Sequence, residues 1–276
     1  MDISQTAIRL GIPESTRLTL QSVRILPERE EQLKQLFRAD VEAFVKHAYP
    51  LEILWLYLRW TKNTKEAFDC RNIPETVFWD SMTDIGIWCR DYYKKTGLPG
   101  IGEPQWVAKS LKLEVIRLGR LQFEPGYLDQ VVPAGQRIYP AGTPILHVHI
   151  PAEEKLKYES VLDSLNQTKD FFKKYFDFVP VIMHCHSWLL SPELKKLLPE
   201  DSNILRFQNL FCLYKTDDLR QAEERVFGAV QEEITSYPQK TTLQKKMKTY
   251  LLQGHKIGMG WGIIPILTGQ EDSLPR

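Results

Sequence analysis

Two short segments of the chain repeat one chemical pattern: Ile145 to Ile150 reads ILHVHI and Val181 to Trp188 reads VIMHCHSW. Both alternate as strands do, and side chains two apart on a strand share a face. His147 therefore falls with His149, against Leu146, Val148 and Ile150. His184 falls with His186 and Trp188, against Met183 and Cys185. The same parity in LGRLQFE, Leu118 to Glu124, turns Arg120, Gln122 and Glu124 away from Leu121 and Phe123. A fourth expected strand, from Ile204 to Leu213, sets Arg206 and Gln208 against Leu205, Phe207 and Phe211. If these strands are neighbours, one face of a sheet is greasy and the other gathers carboxylate, imidazole, guanidinium and amide groups. Imidazoles titrate near neutrality, which suits them to proton transfer. Hydrogen-bonded or solvated histidines with no chemistry are the competing reading.

Three chemistries compete for such a face. Cysteine nucleophilic catalysis is suggested by His184-Cys185-His186, but alternation points the thiol away from both imidazoles. A metal site is suggested by the two HxH pairs, since imidazoles at i and i+2 of a strand can share a zinc ion. Proton transfer without a metal is the third and favoured reading: a histidine or Glu124 accepts a proton from a nucleophile such as an amine.

Near the C-terminus, GHKIGMGWGII places Gly258, Gly260 and Gly262 at alternate positions, with Ile257, Met259, Trp261 and Ile263 on the other face. A bare strand face admits either a ligand or closely packed chain. Lys245, Lys246 and Lys248 nearby read as a solvated helix face, with phosphate attraction as the alternative.

The elements that must position these residues follow from periodicity. Pro27 opens an amphipathic helix carrying Leu33, Leu36, Phe37, Phe44 and Val45. Leu51 to Trp60 is apolar nearly all round and reads as a buried helix, Pro74 opens a third, and Gly97 ends it. The run GLPGIGEP, Gly97 to Pro104, is the punctuation expected between domains, so residues 1–106 are assigned to a helical domain and 107–276 to a mixed α/β domain. There, helices are expected over about Ala152 to Phe176, from Ser191 and Pro192, over Asp218 to Val230, and from a Thr242 cap to Gly254. Ile257 to Leu267 is expected as the last strand.

With 43% hydrophobic and 26% charged residues over 276 positions, the chain has the composition of a folded protein. Its 36 basic and 35 acidic residues nearly cancel, so nucleic acid is not the expected partner. Four scattered cysteines with no CxxC point to reduced thiols and a cytoplasmic location. No signal peptide and no membrane-spanning run is visible.

The segments LGRLQFE, HVHIP (His147 to Pro151), HSWLLSPEL (His186 to Leu194), LLPEDSNILRF (Leu197 to Phe207) and GMGWG together resemble a bacterial family. In it a helical N-acyltransferase N-terminal domain precedes a GNAT-like C-terminal domain. The resemblance implies an acyl-CoA N-acyltransferase-like fold in which an acyl-CoA co-substrate lies between two splayed strands, here ILHVHIP and VIMHCHSW, and an amine attacks the thioester directly. It implies His149, His186 and Glu124 as proton-handling residues. Arg120, Gln122, His147, His184 and Trp188 would line the substrate site, and Val148, with Gly258 and Gly260, would contact the acyl donor. The stretch Pro151-Ala152-Glu153-Glu154-Lys155 departs from the glycine-rich phosphate loop of such enzymes. Two carboxylates in a helix's first turn suit its dipole and repel phosphate. The alternatives are a non-catalytic small-molecule binding or sensing protein and a metal-dependent hydrolase using the HxH pairs.

Overall fold

A computed structural model of the chain describes residues 2–266. They divide into two compact units, the first running to Gln122 and including Ile150–Glu154, the second comprising Phe123–His149 and everything from Lys155 on.

The first unit is helical: α1 (Ile3–Arg9), α2 (Glu14–Leu20), α3 (Pro27–Ala39), α4 (Val41–His47), α5 (Pro50–Cys70), α6 (Glu75–Thr96) and α7 (Pro104–Leu111), followed by the strand β1 (Ile116–Leu118). The single helix expected from Pro27 through Val45 is broken at Asp40. Its backbone is extended and its carboxylate accepts a hydrogen bond from the Ala43 amide, so a side chain that caps well starts a new helix. The apolar run of α5 is buried as expected, with Leu54, Leu56 and Tyr57 fully inaccessible. Phe37, Phe44, Tyr57 and Trp60 form one aromatic nucleus, their ring centroids 5.0 to 6.4 Å apart. Gly97 ends α6 in the left-handed conformation that favours glycine. Beyond the Gly97–Pro104 punctuation, α7 and β1 still belong to this unit.

The second strand, β2 (Leu121–Tyr127), passes from the first unit into the second. There follow β3 (Val132–Ala134), β4 (Arg137–Tyr139), β5 (Pro144–His149), α8 (Tyr158–Phe176), β6 (Ile182–Ser187), α9 (Asn203–Gln208), β7 (Cys212–Asp217), α10 (Gln221–Phe227), α11 (Thr242–Leu252) and β8 (Met259–Pro265). β3 and β4 form a hairpin, and the main sheet of this unit runs β2-β5-β6-β8-β7. β5 and β6 are parallel, which requires a long crossover, supplied by α8. β8 is antiparallel to both of its neighbours, so the sheet is mixed, with helices between its strands.

Several expected boundaries shift. Gly119 and Arg120 form a turn, so LGRLQFE is the end of one strand and the start of another. The segment expected as a strand from Ile204 is the helix α9, because Ser202 caps its start by accepting from the Leu205 amide; the strand follows as β7. Arg206 and Gln208 are consequently helical and leave the sheet. α8 begins at Tyr158, several residues after Ala152, and α11 is capped by Thr241, which forms a reciprocal box with Gln244. Of the expected last strand, Leu267 lies outside the described residues.

Candidate active site

The five titrating side chains that parity placed together do share a face of the second unit's sheet, and they are linked in pairs. In the β5–β6 ladder, His147 stands opposite His184, and their Nδ1 atoms are 3.2 Å apart. His149, one strand step further, has its Nε2 3.1 Å from the Glu124 carboxylate on β2. His186 has its Nε2 2.6 Å from Asp217 Oδ2 on β7. Two histidine–carboxylate pairs therefore flank a central histidine pair.

The residues around them explain the differences among the four imidazoles. His184 is buried, and its Nε2 lies 2.8 Å from the Tyr214 hydroxyl. Burial, reinforced by the neighbouring histidines, pulls its pKa down to about 4, so it is neutral at physiological pH. Burial pushes the Tyr214 hydroxyl up to about 12. Tyr214 therefore stays protonated and can donate to His184, leaving the remaining proton of His184 to bridge to His147. His186 stacks on Trp261 with ring centroids 3.7 Å apart and planes 13° from parallel. Asp217 accepts from the Trp261 indole N–H at 2.9 Å and from the Leu219 amide at 3.0 Å. Burial opposes ionisation of Asp217, but these donors and His186 outweigh it and hold the carboxyl below its usual range. Space for His147 comes from Gly126 on β2, where a Cβ would lie 3.0 Å from the imidazole Nε2.

Pairing between the two parallel strands ends at this face. The β5–β6 ladder covers Ile145↔Ile182, Leu146↔Met183 and His147↔His184 and ends there, although β5 runs on to His149 and β6 to Ser187. The two strands stop pairing with each other where His149 and His186 project.

Other expected site residues lie elsewhere. Arg120 sits in the β1–β2 turn, with Nη2 donating to the Glu154 carbonyl oxygen at 2.8 Å. Gln122 is the exception: it is in β2, two residues before Glu124 and on the same face of that strand, and it is buried. Trp188 begins a short 3-10 turn and packs against the core of Leu194, Leu205, Tyr237 and Ile257, so it leaves the histidine face. Cys185 points the opposite way as expected, and full burial pushes its thiol far up. The glycine face of β8 is filled by the protein itself. A Cβ would strike the Asp217 carbonyl oxygen at Gly258, the Leu190 carbonyl oxygen at Gly260 and the Phe211 side chain at Gly262. Gly258 and Gly260 are thus required for packing, and their bare face is not open to a cofactor. Among the described residues no three of His, Cys, Asp and Glu converge as a metal site, and no helix is long and apolar enough to cross a membrane.

The charges after β5 also differ from expectation. Glu153 and Glu154 precede α8 and are paired within the first unit, Glu153 with Arg90 at 2.5 Å and Glu154 with Arg117 at 2.6 Å. They do not occupy the first turn of a helix, and each is neutralised by its arginine.

Residues 115–264 match the GNAT-like C-terminal domain family, and residues 1–113 match the N-acyltransferase N-terminal domain. No curated protein matches significantly. Among solved structures, the chain is similar to an acyltransferase in complex with decanoyl-CoA (TM-score 0.77, 25% identity, covering 95% of this chain and 87% of that one). It is similar to an acyltransferase variant in complex with octanoyl-CoA (TM-score 0.78, 23% identity, with the same coverage). A further likeness is to an acyltransferase with decanoyl-CoA and teicoplanin (TM-score 0.75, 23% identity, covering 95% and 86%).

Proposed function

Because the chain belongs to the acyltransferase-like family in which an N-acyltransferase N-terminal domain precedes a GNAT-like C-terminal domain, we propose that it transfers an acyl group from acyl-CoA to an amine. The observation that carries the reading is the Glu124–His149 pair standing where the β5–β6 ladder ends. The thioester lies between these strands beyond their last ladder pair, its carbonyl oxygen polarised by the Val148 backbone amide. The amine attacks directly. His149, oriented by Glu124 through Nε2, accepts the ammonium proton as the C–N bond forms. The C–S bond then breaks, and the departing thiolate is protonated by His186, which Asp217 and Trp261 hold in place. His184, kept neutral by its burial, lines the floor beside His147. The octanoyl and decanoyl groups carried by the similar structures favour a medium-chain donor, and the teicoplanin complex favours an acceptor amine on a larger molecule.

Release of free CoA thiol from acetyl-, octanoyl- and decanoyl-CoA in the presence of an amine panel tests this reading. Octanoyl- and decanoyl-CoA are expected to turn over fastest. His149→Ala should lower kcat/KM by about 10²- to 10⁴-fold, the usual worth of general base catalysis, with Glu124→Gln and His186→Ala also impaired. Full activity in both His149→Ala and His186→Ala would remove the proposed proton roles. Thermal stabilisation by acyl-CoA with no transfer to any amine would favour a binding or sensing protein on the same scaffold.

A further inference from the structure

A cavity of about 340 Å³ lies within the first unit, between α1, α2, the segment after α2, and α5. It shares no residue with the histidine face. Its walls are mainly apolar, with Ile3, Ala7, Ile8, Leu20, Ile25 and Trp55 contributing. Ile8 is 59% exposed and marks the side on which the cavity meets solvent.

The polar part of the lining is Ser4, Gln21 and two arginines, so its charge is cationic. Arg17 and Arg24 both contribute, and among the described residues no aspartate or glutamate does. The two arginines differ in what they already hold. Arg24 is turned onto the backbone, its Nη1 donating to the carbonyl oxygens of Gln21 at 2.7 Å and Val23 at 2.9 Å. Arg17 has a buried Nε with no hydrogen-bond partner among the described residues. A guanidinium is always charged, and a buried donor left unsatisfied is costly. Such an orphan in a native fold calls for a partner, and the partner that suits an arginine fork is a carboxylate.

We infer that this cavity is a binding site for an amphiphilic carboxylate, the carboxylate pairing with Arg17 and an unbranched apolar body lying along Ile3, Leu20, Ile25 and Trp55. At about 30 Å³ per heavy-atom group, the share of one water molecule, the space holds about ten such groups. That is the size of octanoate. The apolar walls supply affinity by removing the chain from water, and Arg17 sets the choice of head group.

Isothermal titration of the full chain with sodium octanoate, octan-1-ol and octylamine tests the assignment. Octanoate is expected to bind at one site, with octan-1-ol at least about tenfold weaker and octylamine weaker still, in line with the strength of charge-assisted hydrogen bonds. Arg17→Met should weaken octanoate by at least about tenfold while leaving octan-1-ol little changed. Ser4→Phe, at an exposed lining position, should plug the space and abolish binding of both without depending on Arg17. Ser4→Phe should keep the parent's thermal midpoint, Arg17→Met should not lower it, and both should keep the parent's transfer activity. The assignment is overturned if octanoate does not bind at millimolar concentration, if Arg17→Met binds it like the parent, or if Ser4→Phe leaves binding intact. The last result would place any bound octanoate elsewhere, for instance in the acyl site.

Discussion

The depressed basicity of His184 makes the stability of the histidine face depend on pH in a calculable way. In the folded chain its pKa is about 4, against about 6.5 for an ordinary histidine. Between those values the unfolded chain binds a proton that the folded chain excludes, so stability rises with pH through this window and falls as the solution is acidified from pH 6.5 towards pH 4. The interval of about 2.5 pH units is worth about 3 kcal/mol in full, of which about 2 kcal/mol has gone by pH 5. Other groups titrate over the same range, and His184→Gln separates them: the amide can still meet Tyr214 and His147 but takes up no proton. Urea unfolding of both proteins at pH 7.5, 6 and 5 gives the comparison. The parent should lose about 2 kcal/mol more than the variant between pH 7.5 and pH 5. Parallel stability curves would show that the fold does not hold His184 neutral between Tyr214 and His147.

Gly260→Ala should destabilise by more than about 2 kcal/mol, the cost of overpacking against backbone, since the Leu190 carbonyl oxygen already fills the space; unfolding midpoints check this. Tyr237→Phe removes the hydroxyl that donates to Glu223 at 2.6 Å and accepts from the Gln231 amide at 2.9 Å, and should cost about 1 to 3 kcal/mol in the same assay. Cys70 and Cys212 are exposed and Cys89 and Cys185 buried, with burial raising the Cys89 thiol to about 11 and Cys185 further. Ellman's reagent should therefore titrate two thiols in the native protein and four after denaturation. Gly126→Ala crowds the His147 imidazole and should lower acyl transfer with little change in stability; an unchanged kcat/KM would show that His147 can move without consequence.

The sequence made the histidine face legible because it depends on strand parity alone. His147, His149, His184 and His186 needed only the period of two, and Glu124 only the neighbouring of β2 and β5. Residues brought in by tertiary pairing were not legible. Asp217 and Tyr214 lie in β7, which is hidden because the alternation from Ile204 runs through the helix α9, started by the Ser202 cap, and the strand begins only at Cys212. Trp261 was visible in the glycine strand, but its stack on His186 depends on the antiparallel register His186↔Trp261. Arg120 was misplaced because a glycine turn within LGRLQFE reads like continuous alternation. Trp188 was misplaced because a strand ended one residue earlier than its pattern suggested.

A register shift in β7 decides which side chains complete the site. Its pairing with β8 sets Leu213 against Gly262 and then Lys215 against Trp261, so Tyr214 is the extra residue of a bulge. Without that insertion, Tyr214 and Asp217 would have opposite parity, and only one could reach the histidine face. With it, Tyr214 meets His184 and Asp217 meets both His186 and Trp261. The consequence is chemical as well as geometric. His186 is fixed by a carboxylate and an indole stack together, whereas His149 has its carboxylate partner on the far side of β5 and stands at the end of the β5–β6 ladder. A base that must meet an incoming amine belongs where the ladder ends, and an acid that must return a proton to a departing sulfur gains from a fixed ring. The asymmetry between the two pairs is the physical ground for proposing His149 as the base and His186 as the acid.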